Sequence, residues 1–516
     1  MRAKIINFLQ YDKTKGNLKD ELLSGITVAL ALVPEAIAFS FIAGLSPLVG
    51  LYSAFFIGII TSIFGGRPGM ISGATGAIAV VLVSLVINHG REYVFAAVIL
   101  MGVIQILVGV FKLGKFIRLV PQSVIYGFVN GLAIIIFMSQ FGQFKMGNEP
   151  DSPWMSGNSL YIMLGLIAVT MLIIHFMPKL TKAVPSSLTA IVVISLLVIG
   201  LDIPTKTIGD LASVSGSFPS LALPNVPFTW ETLEIVFPYA LIMAGVGLIE
   251  SLLTLTLIDE ITETRGSGNK ESFAQGLANF VTGFFGGMGG CAMIGQSLIN
   301  VNAGGRSRIS GIVAALGLLS IVLFVGPVIE MIPMAALVGL MFMVAIGTFE
   351  WATLRVFGKV PVSDIIVMLV VILITVFLHN LALAVLIGVV ISALVFAWEN
   401  AKRIRARKHI DENGVKHYEI FGPLFFGCIS TFNDKFDVNN DPDEVVIDFR
   451  ESRVVDLSAI EALNKLTEKY LKAGKKLHLR HLSPDCIAML KNAEKIVDVN
   501  ILEDPDYKVV ADRATV

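Results

Sequence analysis

Phe64-Gly65-Gly66-Arg67-Pro68-Gly69-Met70-Ile71-Ser72-Gly73-Ala74-Thr75-Gly76 and, 221 residues later, Phe285-Gly286-Gly287-Met288-Gly289-Gly290-Cys291-Ala292-Met293-Ile294-Gly295-Gln296-Ser297 are the passages that decide how this chain is read. Each sets a Phe-Gly-Gly break ahead of a short apolar stretch, near 76–88 and 294–303. Those stretches fall short of the about 20 apolar residues that a bilayer-crossing helix needs. Upstream of each break a carboxylate interrupts an apolar run: Glu35 in LALVPEAIAFS and Glu250 in GVGLIESLLTL. Two matching broken elements, each preceded by an intramembrane acid, indicate two related halves.

The composition agrees with a membrane setting. Of 516 residues, 55% are hydrophobic and 15% charged, with a net charge of -1 and a mean hydropathy of +0.78. A typical globular domain is about a quarter charged. A disordered chain, a disulfide scaffold, a typical soluble enzyme and a nucleic-acid binder are all excluded. Cys291, Cys428 and Cys486 are far apart and in no metal spacing. The charge is uneven. Residues 1–408 carry 25 Lys+Arg and 20 Asp+Glu, whereas the far shorter 409–516 carries 14 and 20. The expected division is a transmembrane domain over 1–408 and a cytoplasmic α/β domain over 409–516. The basic run Lys402, Arg403, Arg405, Arg407, Lys408 reads as the cytoplasmic flank of the last span.

Twelve long apolar runs lie near 22–41, 47–64, 93–111, 119–141, 160–176, 184–200, 235–257, 273–287, 309–325, 327–347, 363–379 and 381–398. With the two short stretches they make fourteen elements. The N-terminus is polar and basic up to Glu21, and the first run lacks a cleavage-type ending, so it reads as a true span. Placing both termini in the cytoplasm puts Arg2, Lys4, Lys13, Lys15, Lys19, Lys112, Lys115, Arg118, Lys179, Lys182, Arg265, Lys270, Arg306, Arg308, Arg355, Lys359 and the 402–408 cluster inside, with Arg67 left unassigned beside its broken element. Only Arg91, Lys145 and Lys206 then fall outside. Seven spans per half is an odd number, so the halves take opposite orientations. The expected fold is an α-helical membrane protein of 7+7 inverted repeats with two half-helices.

Half-helices at matching places bring helix N-termini together near the membrane midplane, where free N–H groups and the positive dipole end favour an anion. The candidate substrate residues are Gly73, Ala74, Thr75 and Gly76 in the first half, and Ala292, Met293, Ile294, Gln296 and Ser297 in the second. Thr75, Gln296 and Ser297 bring hydrogen-bonding side chains. A plain small-residue packing seam is the alternative. A carboxylate in hydrocarbon costs about 3 kcal/mol on insertion scales, which makes Glu35 and Glu250 candidates for ion coupling. Either can carry a proton, or help hold Na⁺ with Ser251 and Thr254, the latter one turn beyond Glu250. For Glu35 the competing reading is a protonated, hydrogen-bonded residue beside the Pro34 kink. Glu330 and Asp364 sit at span ends, where interfacial water accounts for them.

At these residues the chain resembles the SulP family of sulfate permeases, also called solute carrier family 26. The likeness is carried by Val33-Pro34-Glu35-Ala36-Ile37-Ala38-Phe39, Ser46-Pro47-Leu48-Val49-Gly50-Leu51-Tyr52, Phe64 to Gly76, Glu250-Ser251-Leu252-Leu253-Thr254 and Asn302-Ala303-Gly304-Gly305-Arg306-Ser307-Arg308. It implies fourteen spans arranged as a core domain that moves against a gate domain by an elevator motion, in a homodimer. It also implies carriage of sulfate, bicarbonate, chloride, oxalate or dicarboxylates, by proton or sodium symport in bacterial members. Glu35 stands where proton-coupled relatives have a carboxylate. Glu250 with Thr254 is similar to the Asp-x-x-x-Thr pattern of sodium-dependent bicarbonate relatives, and Thr75 matches a hydroxyl residue near their substrate. Ala292-Met293-Ile294 departs from the small and hydroxyl residues those relatives carry.

In the tail, strands are expected at 420–427, 444–449 and 475–482, and helices at 428–436, 458–473 and 484–495, giving a small α/β sheet domain. It resembles the sulfate transporter and anti-sigma factor antagonist (STAS) domain, which implies a cytoplasmic protein partner. Ser458 is expected to cap the helix, with Glu461 completing a capping box. His409, His478 and His481 are taken as surface residues. The leading functional reading is a secondary active transporter of small inorganic anions in a bacterial plasma membrane, with no cofactor. A nucleobase or dicarboxylate carrier of the same fold, or a scaffold acting through its tail, are the alternatives. An enzyme has no support, since no nucleophile–base pair or metal constellation is present.

Overall fold

The structure is a computed structural model. It describes residues 17–114, 120–146, 152–180, 185–211, 218–221, 223–356, 358–378, 381–401, 404–492 and 500–501. The basic residues at 2, 4, 13, 15, 115, 118, 182, 402 and 403, used above for orientation, lie outside these. Contacts divide the chain into two units, Met1–Val389 and Val390–Val516.

The first unit opens with α1 (Leu18–Ile42), capped by the Asn17 side chain, which accepts from the Lys19 N–H, with Asp20 and Glu21 in the first turn. α2 (Pro47–Phe64) follows, with proline at its first position. After the first Gly-rich break come β1 (Ser72–Gly73), α3 (Gly76–His89), α4 (Arg91–Val110), α5 (Gln122–Ser139), α6 (Asn158–Leu180) and α7 (Ser186–Gly200). The second series is α8 (Trp230–Thr262), α9 (Gly268–Phe284), β2 (Cys291–Ala292), α10 (Ile294–Asn302) and α11 (Arg308–Phe324). The short α12 (Gly326–Glu330), α13 (Met334–Thr348), the short α14 (Ala352–Val356), α15 (Val362–Leu378) and α16 (Leu381–Ala401) complete the helices before the tail. Among the described residues, eight helices are long and apolar enough to cross a membrane, and α3, α7, α11 and α15 are shorter apolar helices.

One expected span is broken. The run 327–347 divides around Pro333 into α12 and α13, because proline has no N–H to continue a helical ladder. The 206–209 loop pairs with the freed backbone: Gly209 donates to Glu330 O, Ile208 to Ile332 O, and Met334 to Lys206 O.

Glycine sets the closest helix approaches. A Cβ on Gly102 of α4 would lie 2.3 Å from Phe280 N on α9, and one on Gly276 of α9 would lie 2.4 Å from Ile106 N on α4. In a bilayer, where lipid is as apolar as leucine, such close packing holds helices together. Buried charges fix the helix ends. Glu21 accepts from the N–H groups of Arg306, Ser307 and Ser310 at the start of α11. Arg308 donates to the carbonyls of Ser62, Ile63 and Gly65 at the end of α2. Both carry a charge matched to the helix dipole they face. Arg67, in the first break, pairs with Asp259 at 3.2 Å.

The second unit holds a five-stranded sheet in the order β3 (Arg405–Ile410), β4 (Lys416–Leu424), β5 (Glu444–Val454), β6 (Lys476–Arg480), β7 (Asn500–Ile501). β3 is antiparallel to β4 and the other pairs are parallel. α17 (Ile429–Asn433), α18 (Leu457–Lys472) and α19 (Pro484–Asn492) accompany it, around a core that includes Tyr418, Phe432, Ile447, Leu463 and Leu479. Of the basic run, Arg405, Arg407 and Lys408 lie in the edge strand β3, and charged side chains are what keep such an edge from pairing with other chains. Two expectations are corrected. Asp456, not Ser458, caps α18: one carboxylate oxygen accepts from Ala459 N at 2.9 Å and the other from Phe426 N at 2.8 Å. Glu461 instead pairs with Lys465. His481 is buried, with Nδ1 2.8 Å from Asp448 Oδ1, and is no surface residue.

Asp441 is the polar centre of this domain. Its carboxylate accepts from Lys416 Nζ at 2.5 Å and from the hydroxyls of Tyr418 and Tyr470. Burial alone would raise its pKa, but the bonds from Lys416, Tyr470 and Tyr418 outweigh that and hold the carboxyl below its usual value. Burial and the same carboxylate push the Tyr470 hydroxyl well up, so it remains a donor.

Candidate anion site at the crossing of two broken helices

The two breaks meet. β1 and β2 pair antiparallel, Ser72 opposite Ala292 and Gly73 opposite Cys291. Met293 N donates to Ile71 O at 2.9 Å beside them. The pairing demands glycine, since a Cβ on Gly290 would stand 1.9 Å from Gly73 O. Each strand then runs into a helix, α3 behind Thr75 and α10 behind Met293. Neither of these N-cap residues makes a side-chain capping bond, so first-turn N–H groups of both helices are left without one.

The residues singled out in sequence converge here in different roles. Gly73, Ala74, Thr75 and Gly76 are all buried, as are Ala292 and Met293, while Ile294 is exposed. Gln296 donates its amide to Glu35 Oε2, bringing the acid of α1 onto the second half-helix. Ser297 works on backbone: its Oγ accepts from Ile71 N at 2.9 Å and lies 3.3 Å from Ile71 O. Ser251 likewise accepts from Ala292 N at 3.1 Å, pinning β2 against α8. Thr254 donates to the Glu250 carbonyl one turn back at 2.8 Å, a local helix bond. The Glu250 carboxylate accepts from the Cys291 thiol at 2.8 Å, and that sulfur lies 3.4 Å from Thr75 Oγ1. Among the described residues, no three His, Cys, Asp or Glu side chains gather as metal ligands would.

Sequence reasoning passed over Cys291 and the amide bed beneath the crossing. Asn279 reads both backbone groups of Gly290, donating to its O at 3.0 Å and accepting from its N at 2.9 Å. It also donates to Gln105 Oε1, and Gln275 donates to Ser72 Oγ. Glu271, Gln275 and Asn279 recur every four residues along α9, a buried polar stripe that the spacing could have disclosed.

A bundle of apolar helices whose broken elements cross next to two partly buried carboxylates defines a multi-pass membrane transporter and not an enzyme. The chain belongs to the sulfate permease family, which matches residues 18–371, and a STAS domain matches residues 408–502. It is 46% identical over 476 residues to the putative sulfate transporter YbaR of Bacillus subtilis, covering 92% of this chain and 97% of that one. It is 28% identical to the bicarbonate transporter BicA of Picosynechococcus, covering 90% and 88%. In fold it is similar to the murine solute carrier 26 family member A9 anion transporter, with a TM-score of 0.78 at 20% identity, covering 95% and 91%.

Proposed function

We propose that this protein is a secondary active transporter that carries sulfate or bicarbonate across a bacterial plasma membrane, coupled to H⁺ or Na⁺. The observation that carries the reading is the antiparallel crossing of β1 and β2, from which two half-helices start beside Glu35 and Glu250. Helix N-termini aimed at one place favour an anion, and intramembrane carboxylates are where coupling cations act. The substrate sits against residues 73–76 and 292–297, Thr75 being its nearest hydroxyl donor. The relatives named for sulfate and bicarbonate transport support these two anions.

The reading extends to fourteen crossings in two inverted sets of seven. The packing partners exchange under a shift of seven elements: α1 with α11 and α8 with α4, α9 with α4 and α2 with α11, α3 with α8 and α10 with α1. In this view α5–α7 with α13, α15 and α16 form a gate against which the core slides, the protein works as a homodimer with both termini cytoplasmic, and the STAS domain binds a cytoplasmic protein. The test is uptake of labelled sulfate and bicarbonate into proteoliposomes under imposed proton or sodium gradients, with Glu35→Gln and Glu250→Gln alongside. Gradient-driven uptake of either anion, lost in at least one variant, is the expected result. A folded protein that moves neither anion in either gradient overturns the reading.

A further inference from the structure

Cys291 stands between the two parts of the site that coupled transport must connect. Its thiol is wholly buried, donates to Glu250 Oε2 at 2.8 Å, and places its sulfur 3.4 Å from Thr75 Oγ1. Its backbone is held in place, paired with Gly73, and the next N–H is held by Ser251. A thiol has one proton to give and a sulfur that accepts weakly. While Glu250 is ionised, the S–H points at the carboxylate, and the sulfur is left to accept the Thr75 proton, which then faces away from any anion. When a cation, proton or sodium, takes up the Glu250 charge, the carboxylate no longer holds the S–H. The thiol proton turns to Thr75 Oγ1, and the Thr75 O–H is freed to donate to an anion at the start of α3.

The geometry points to Cys291 as a positioning residue that relays the charge state of Glu250 to the Thr75 hydroxyl, so that cation and anion bind cooperatively. The inference rests on the transport reading above and adds the element that joins its two binding events. Such coupling is reciprocal: the factor by which the cation tightens anion binding is the factor by which the anion tightens cation binding. A serine at 291 keeps one donor and one acceptor in place. An alanine keeps neither, and a valine fills the thiol's space while offering none.

The experiment compares wild type, Cys291→Ser, Cys291→Ala and Cys291→Val in proteoliposomes. It reads the ratio of labelled sulfate or bicarbonate uptake with and without an inward gradient, in separate proton and sodium arms. It also reads the dependence of the anion KM on the coupling cation. The expected result is a wild-type ratio above 1 in one arm, retained in Cys291→Ser and reduced to about 1 in Cys291→Ala, with the KM no longer following the cation. Cys291→Val gives the same reading if the alanine variant does not fold. A purely structural role would lower uptake equally with and without the gradient and leave the ratio alone, and that outcome overturns the relay. So does a Cys291→Ser protein that loses the ratio. Wild type that moves neither anion in either arm refutes the transport reading itself, and the relay with it.

Discussion

Replacing Gly290 by alanine tests whether the strand crossing is the working centre of the protein. The added Cβ would lie 1.9 Å from Gly73 O and 2.7 Å from Gly73 C, against a closest tolerated approach of 3.0 Å. The obstacle is backbone on a paired strand and not the end of a flexible side chain, so the two breaks must part by about 1.1 Å. That movement also disturbs both Asn279 bonds to Gly290. Overpacking of this kind costs about 1–3 kcal/mol, enough to leave a helical bundle folded. Positioning is far less forgiving, and a 1 Å misplacement is associated with about 100-fold loss at a reacting centre. In proteoliposomes, Gly290→Ala is expected to lose at least about tenfold in anion uptake while eluting as a monodisperse species. Gly245→Ala, on α8 with open space around it, serves as the control and is expected to match wild type. Uptake by Gly290→Ala within twofold of wild type would refute the argument that the crossing sets the site geometry.

Three further outcomes are expected. Arg308→Met leaves three carbonyls at the end of α2 without their donor, at a cost of about 1–3 kcal/mol; the check is the detergent stability of the full chain, and an unchanged half-life at elevated temperature would contradict it. Asp441→Asn leaves the Lys416 ammonium without its buried partner, and hydrogen exchange over 416–424 and 444–480 in the full protein should accelerate. The wild-type domain has a pH signature of its own. A carboxyl held below its ordinary value contributes stability that is present above the unfolded pKa near 3.9 and lost as pH falls through the lower folded value, so exchange in wild type should rise on acidification below about pH 4 and the Asn variant should lack that component. Asp456→Ala removes the cap of α18 and its tie to Phe426, costing about 1–2 kcal/mol, whereas Ser458→Ala should fall within about 0.5 kcal/mol of wild type in the same exchange measurement.

The broken elements were legible because their signals are local. Glycine runs and apolar stretches too short to span stand out against long apolar neighbours, and Glu35 and Glu250 stand out for their cost. What each polar group bonds to was not legible, because that is decided across hundreds of residues. Ser251 and Ser297 read as ligand donors, yet they hold the backbone of the crossing. Cys291 carries no sequence pattern of its own, and its importance arises only from the two helices it touches. In the tail, Asp456 and Ser458 are comparable capping residues on propensity. The Phe426 N–H, thirty residues away, gives the carboxylate a second bond that the hydroxyl does not make. The edge strand at 405–410 was hidden because its exposed, charged face reads like any basic flank.

The floor of the crossing is built from neutral amides. Gln105, Gln275 and Asn279 supply dipoles and no formal charge, and they satisfy Ser72 and both backbone groups of Gly290 without an ion. The amides that touch the strands do not themselves titrate, and the nearest acid beneath them, Glu271, reaches the strands only through Gln275, which donates to it at 2.9 Å. Among these groups a formal charge enters only through Glu271, which Gln275 touches one turn below the strands, so the two strands meet neutral amides and hydroxyls first and a carboxylate only at one remove.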